Sequence, residues 1–303
     1  MLKTFIFLFF IFSSLSLADE LIIEPNDGYT PLLNAIHRSQ SSIDLALYGF
    51  TDTTFMNALL KESKNGKKIR ILLESAPFRI IHENEKAIAF FKKAPLSIES
   101  PSHDFRYFHQ KTFLFDRQAA LVMTFNLTHS AFASQRNFAI AINDPALVRE
   151  IQSVFDADYA HLPIKVAEPR LIWSPDNSRE KISGIIQHAK TEILIETESL
   201  SDYKIISLLV KMAKQRVQVD VLLSSPLRPA LMHYLTHAGV AVHQSRHYII
   251  HAKIIVIDQA KAIIGSINLT RPSLDDNREL SVVTDEKKIV NTLHNTFQED
   301  WVA

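Results

Sequence analysis

No cysteine occurs among the 303 residues, which removes disulfides, thiol nucleophiles and Cys-ligated zinc and is compatible with an oxidising compartment. A charge excess is also missing: Lys and Arg total 33, Asp and Glu 33. A protein that grips nucleic acid through its phosphates normally carries a basic surplus, so this balance weighs against that partner. After the first residues there is no apolar run of the roughly 20 residues that a membrane-spanning helix needs. With 47% hydrophobic and 22% charged residues, the rest reads as an ordinary globular protein, long enough for one large domain or two ordinary ones.

The opening MLKTFIFLFFIFSSLSLADE has Lys3, an unbroken apolar run from Phe5 to Phe12 and small residues ending at Ser16-Leu17-Ala18. Secretory signal peptides are built this way, so residues 1–18 are expected to be a leader cleaved after Ala18. The mature chain would then be periplasmic or secreted. Removing the leader with Lys3 leaves 32 basic and 33 acidic residues.

The remainder repeats itself. TPLLNAIHRSQSSIDLALYGFTDTTFMNALLKESKNGKKIRILLESAP, from Thr30, resembles SREKISGIIQHAKTEILIETESLSDYKIISLLVKMAKQRVQVDVLLSSP, from Ser178. Each reads as helix, strand, helix and strand, with strands at Ile43 to Leu47 and Ile69 to Leu73, then Ile193 to Thr197 and Val217 to Leu223. A histidine-lysine stretch follows in each: HQKTFLFDRQAALVMTFNLT from His109 and HAKIIVIDQAKAIIGSINLT from His251. Both stretches predict two short buried strands joined by a turn, then a polar loop, a strand and a helix (Pro145 to Tyr159; Glu286 to Trp301). Alternating strands and helices predict a layered α/β fold of two similar halves, residues 19–165 and 166–303. Two prolines interrupt the periodicity near His161 to Trp173. Halves duplicated in this way pack about a pseudo-twofold axis, so equivalent loops converge on one shared site.

Residues at i and i+2 of a strand point to the same face, which makes neighbours of His109 and Lys111, and of His251 and Lys253. Two imidazoles and two cations around one small space suit a phosphodiester, with Asn126 and Asn268 adding amide donors. One neutral imidazole attacks phosphorus while a protonated one donates to the leaving oxygen, and no metal or cofactor is required. Asp116 and Asp258 end a strand with a turn. His243, His247 and His251 lie four apart, a zinc-like spacing on a helix, but the run Tyr248-Ile249-Ile250 leading into a strand argues against a helix there. Phe78-Arg79-Ile80-Ile81 and Phe90-Phe91-Lys92-Lys93 are candidates for a membrane surface, with core-facing aromatics the commoner outcome.

His-x-Lys-x4-Asp with Gly-Ser-x-Asn downstream resembles the signature of the phospholipase D superfamily over nearly the whole mature chain. The second copy fits in full with His251, Lys253, Asp258, Gly265, Ser266, Asn268 and Glu279. The resemblance implies that His109 is the nucleophile and His251 the general acid. It implies that Lys111, Lys253, Asn126 and Asn268 bind phosphate, with the hydroxyls of Ser266 and Thr124 beside them. Asp116, Asp258 and Gly265 would support the motif, and Glu279 would orient a histidine. The first copy departs from the pattern at Met123-Thr124 and has Asn137-Phe138-Ala139 where the second has Glu279. If the carboxylate serves the attacking histidine, the roles reverse and His251 attacks. The leading expectation is an exported phosphodiesterase, hydrolysing the distal phosphodiester of glycerophospholipids through a phosphohistidine and touching the membrane surface transiently. The alternatives are phosphatidyl transfer of the cardiolipin synthase kind, a metal-independent nuclease, and a non-catalytic phosphate-binding module.

Overall fold

The computed structural model describes residues 20–77 and 82–303. The expected leader and the stretch Phe78-Arg79-Ile80-Ile81 lie outside the described residues. The N-terminal half runs β1 (Leu21–Glu24), α1 (Thr30–Arg38), β2 (Ser42–Leu47), α2 (Thr53–Lys64), β3 (Lys68–Leu73), α3 (Glu85–Phe91), β4 (Ser97–Glu99), β5 (Thr112–Phe115), β6 (Ala119–Met123), α4 (His129–Ala133), β7 (Gln135–Ile142) and α5 (Pro145–Tyr159). The C-terminal half runs β8 (Leu171–Ser174), α6 (Ser178–Gln187), β9 (Glu192–Thr197), α7 (Tyr203–Lys214), β10 (Gln218–Leu223), α8 (Pro229–His237), β11 (Ala241–Gln244), β12 (Ile249–Ile250), β13 (Lys253–Ile257), β14 (Lys261–Gly265), α9 (Arg271–Asp275), β15 (Glu279–Thr284) and α10 (Lys287–Val302).

The sheet orders are β1-β7-β6-β5-β2-β3-β4 and β8-β15-β14-β13-β9-β10-β11. The two orders correspond strand for strand, as expected of a duplication, and β12 adds to the first sheet beside β7. Helix starts repeat as well: Asp52 accepts from the Thr54 amide to cap α2, and Asp202 accepts from those of Lys204 and Ile205 to cap α7.

Strand alternation sorts the core into layers. Ile43, Leu45 and Leu47 of β2 pack into an outer cluster with α1 and α2, while Ile193 and Ile195 of β9 pack into its counterpart with α6 and α7. The opposite faces, including Leu114, Val122, Leu194, Val256 and Ile264, join one central cluster with α5 and α10. That shared layer binds the halves together. Phe91 is fully buried and Phe90 packs on the N-terminal outer cluster, so this pair faces the core.

Two buried ion pairs staple the halves. Arg136, at the start of β7, is bidentate to Asp300 of α10 at 2.6 and 2.8 Å, and Arg278, beside β15, is bidentate to Asp158 of α5 at 2.9 and 3.0 Å. Removing one partner of such a pair strands a buried charge. Asp300→Ala is therefore expected to lower stability in urea by about 3–5 kcal/mol. Arg170→Ala, which breaks only exposed contacts to Asp144 and Glu168, should change it by less than about 1 kcal/mol. Equal losses in the two variants would contradict the stapling role.

Candidate active site

Each histidine sits just ahead of its motif strand, in a short extended segment that pairs with the opposite half. Ile249 and Ile250 form a parallel ladder with Gln135 and Arg136, and Phe108 bridges Arg278 in the equivalent place. The backbone amide of His109 donates to the Arg278 carbonyl at 2.9 Å, and that of His251 to the Arg136 carbonyl at 3.1 Å. Each histidine thus lies against the first residues of the other half's strand, β15 or β7. His109 Nδ1 is 2.8 Å from Glu279 Oε2, and His251 Nδ1 is 2.9 Å from Asn137 Oδ1. Glu279 contacts the histidine of the other copy, so its place in the second copy gives no reason to reverse the two roles.

Glu279 is fully buried, and its second oxygen accepts from Asn277 Nδ2 at 2.9 Å. Because carboxylate and amide oxygens only accept, both rings carry their proton on Nδ1 and leave Nε2 for chemistry. Tyr48 packs edge-on against His109 with ring centroids 4.6 Å apart.

The lysines curl back beside the histidines. Lys111 Nζ donates to the His109 carbonyl at 2.7 Å and Lys253 Nζ to that of His251 at 2.5 Å, while Lys253 also reaches the Thr124 carbonyl of the other half at 3.3 Å. Burial lowers the affinity of both ammonium groups for their protons, and Lys253 adds to the effect at Lys111. Burial also pushes His109 down, with Glu279 opposing. It pushes His251 to about 3, Lys253 adding to the shift and Glu198 opposing it. Two neutral imidazoles over crowded buried cations make a space that an anion relieves.

Of the residues expected at the site, Asn268 Nδ2 donates to Glu198 at 3.3 Å, and Asn126 Oδ1 accepts from the Gly49 amide at 3.2 Å. A β-carbon at position 49 would lie 3.1 Å from Asn126 Cγ, so glycine gives that side chain room. Thr124 and Ser266 are fully buried, and their hydroxyls accept from the Phe138 and Leu280 amides at 2.9 and 3.2 Å. Thr124 also donates to Asn137 Oδ1 at 3.0 Å. Both hydroxyls thus brace the wall that carries Asn137 and Glu279. At Gly265 a β-carbon would fall 2.3 Å from the Leu280 carbonyl oxygen, whereas the Met123 side chain is buried in the outer core.

Asp116 and Asp258 lie at the far end of the motif strands, in turns with left-handed φ at residues 116–117 and 258–259. Asp116 accepts from the amides of Gln40, Ser41 and Ser42 at 2.7 to 2.9 Å, and Asp258 from those of Lys190, Thr191 and Glu192 at 2.7 to 3.0 Å. Burial would raise these carboxyls, but the converging donors hold them below the usual range. His243 is in a strand and stacks on Trp301 at 3.9 Å, away from His251. Among the described residues no three His, Asp or Glu side chains gather as a metal site.

A family model described as cardiolipin synthase, PLD-like domain, matches residues 32–159 and again 182–301. The chain belongs to the phospholipase D superfamily. Cardiolipin synthase B of Shigella flexneri is 22% identical over 328 residues, covering 91% of this chain and 78% of its own. The major cardiolipin synthase of Bacillus subtilis is 23% identical over 330 residues, covering 93% and 68%. Among solved structures, phosphatidylserine synthase from Haemophilus influenzae has a TM-score of 0.70 at 11% identity, over 93% of this chain and 85% of that one. Polyphosphate kinase from Porphyromonas gingivalis has a TM-score of 0.72 at 16% identity over 92% of this chain, which spans half of the kinase. Both likenesses concern the fold.

Sequence reasoning missed three residues of this phospholipase D-type centre: Tyr48, Glu198 and Asn137 as the partner of His251. Tyr48 and Glu198 directly follow β2 and β9, so aligning the repeats places them opposite each other; their contacts depend on the packing of the halves. Since His251 titrates far below its ordinary 6.5, the neutral ring contributes stability that is complete above about pH 6.5 and is lost as pH falls toward 3. An NMR titration should find the His251 ring neutral down to pH 5 in the unliganded protein. A midpoint near 6.5 would contradict the buried, cation-flanked site.

Proposed function

We propose that the protein is a phosphatidyl transferase of the cardiolipin synthase type, exported and acting at a membrane surface through a covalent His109 intermediate. The observation that carries the chemistry is the contact from His109 Nδ1 to the buried Glu279, against a neutral amide at His251. As His109 Nε2 attacks phosphorus, its ring becomes cationic, and Glu279 stabilises that charge where Asn137 would only orient the ring. The N–P bond forms, the P–O bond to the leaving alcohol breaks, and its electron pair takes the proton from His251 Nε2. The phosphate anion beside His251 supplies the negative charge that favours protonation of this depressed imidazole. Lys111, Lys253, Asn126 and Asn268 hold the phosphoryl oxygens. The acceptor hydroxyl then gives its proton to His251 and attacks phosphorus, releasing His109.

Hydrolysis was the expectation from the motif alone, but it differs from transfer only in the acceptor, water or a lipid hydroxyl. Relatives matched over most of the chain are named as cardiolipin synthases, which supports transfer. Among the described residues no helix is long and apolar enough to cross a membrane. Incubation with phosphatidylglycerol vesicles in EDTA should yield cardiolipin and glycerol, and activity should fall by about 10³-fold or more in His109→Ala and 10²-fold or more in His251→Ala. Phosphatidate as the sole lipid product would instead establish hydrolysis. Cleavage of DNA without lipid turnover would overturn both lipid readings.

A further inference from the structure

Glu198 follows β9 as Tyr48 follows β2, so the two occupy equivalent positions with different chemistry. In the first half, Lys111 Nζ lies 5.1 Å from the centre of the Tyr48 ring. In the second, one oxygen of Glu198 lies 2.8 Å from Lys253 Nζ, 3.3 Å from Asn268 Nδ2 and 3.5 Å from His251 Nε2. An ammonium and an amide N–H are donors that a phosphoryl oxygen needs, and the ring nitrogen beside them is where the leaving group's proton passes. Burial alone would raise the Glu198 carboxyl, but Lys253 and His251 hold it well below the usual range. Its side chain is nonetheless 41% exposed, so a rotation takes the carboxylate to solvent.

We propose that Glu198 is an internal competitor for the phosphate subsite: its carboxylate takes the donors of Lys253 and Asn268 beside His251, and a phosphodiester binds by displacing it. The inference rests on the reading of the centre as a phosphodiester site, not on which lipid it uses. Displacement exchanges one anion for another, so Lys253 keeps a negative partner throughout. It also imposes a cost that a bare phosphate ion must meet from the subsite alone, whereas a large diester offsets it through contacts elsewhere. Glu198 therefore discriminates against small anions. The first half lacks this feature, because Tyr48 has no charge to compete with.

Calorimetric titration with inorganic phosphate at pH 7 tests this without any lipid, so failure to find lipid turnover does not obscure the result. Glu198→Gln keeps the shape and removes the charge; Glu198→Tyr installs the first-half residue. With melting temperatures like that of the parent protein, both should bind phosphate about tenfold more tightly, since a charge-assisted contact no longer has to be broken. The gain should disappear when Lys253→Gln is added. In parallel, the KM for a small soluble diester, bis(p-nitrophenyl) phosphate, should fall in Glu198→Gln. Phosphate binding that is weaker, unchanged or undetectable in both variants would overturn the proposal.

Discussion

The ring of His109 donates to Glu279 across the boundary between the halves, and that contact exists because the segment before each motif strand pairs with the opposite half. Phe108 joins Arg278, and Ile250 joins Arg136. The same two arginines anchor the staples to Asp158 and Asp300. One strip of backbone thus sets the register of the halves and the aim of the two motif histidine rings. Neither motif histidine finds its Nδ1 partner in its own half.

Duplication gave two equivalent half-sites, and of three differences between them two reach the centre. Asn137 stands where Glu279 stands, Tyr48 where Glu198 stands, and Met123 where Gly265 stands. The first gives only one imidazole a buried carboxylate, the arrangement an attacking nucleophile needs. The second places an exchangeable anion beside the other imidazole. The third leaves the centre unchanged, because the methionine side chain enters the outer core and Thr124 repeats the strand contact of Ser266.

Much of this was legible in the sequence. The α/β class, the duplication and helix Pro145–Tyr159 follow from periodicity, since burial on one face imposes the pattern directly. The motif residues follow from agreement between two copies. Edge elements such as β1, β4, β8 and β11 escaped notice because strands of three or four residues leave too short an alternation. The partner of each histidine was hidden for another reason. Glu279 lies 170 residues from His109, and the sequence left open which histidine it orients; only the crossed pairing of the halves shows the match. The acceptor leaves no trace in the motif, since hydrolysis and transfer use the same side chains.

The most direct test of this crossed site is to identify the residue that becomes covalently attached to phosphorus. His251→Gln, incubated with a phosphodiester bearing an activated leaving group that needs no protonation, should accumulate a covalent adduct because deprotonation of the acceptor is impaired. Mass spectrometry of the digested protein is expected to place the adduct on His109, with its yield reduced when Glu279→Gln is added. An adduct on any other residue, or one indifferent to Glu279, would contradict the assignment.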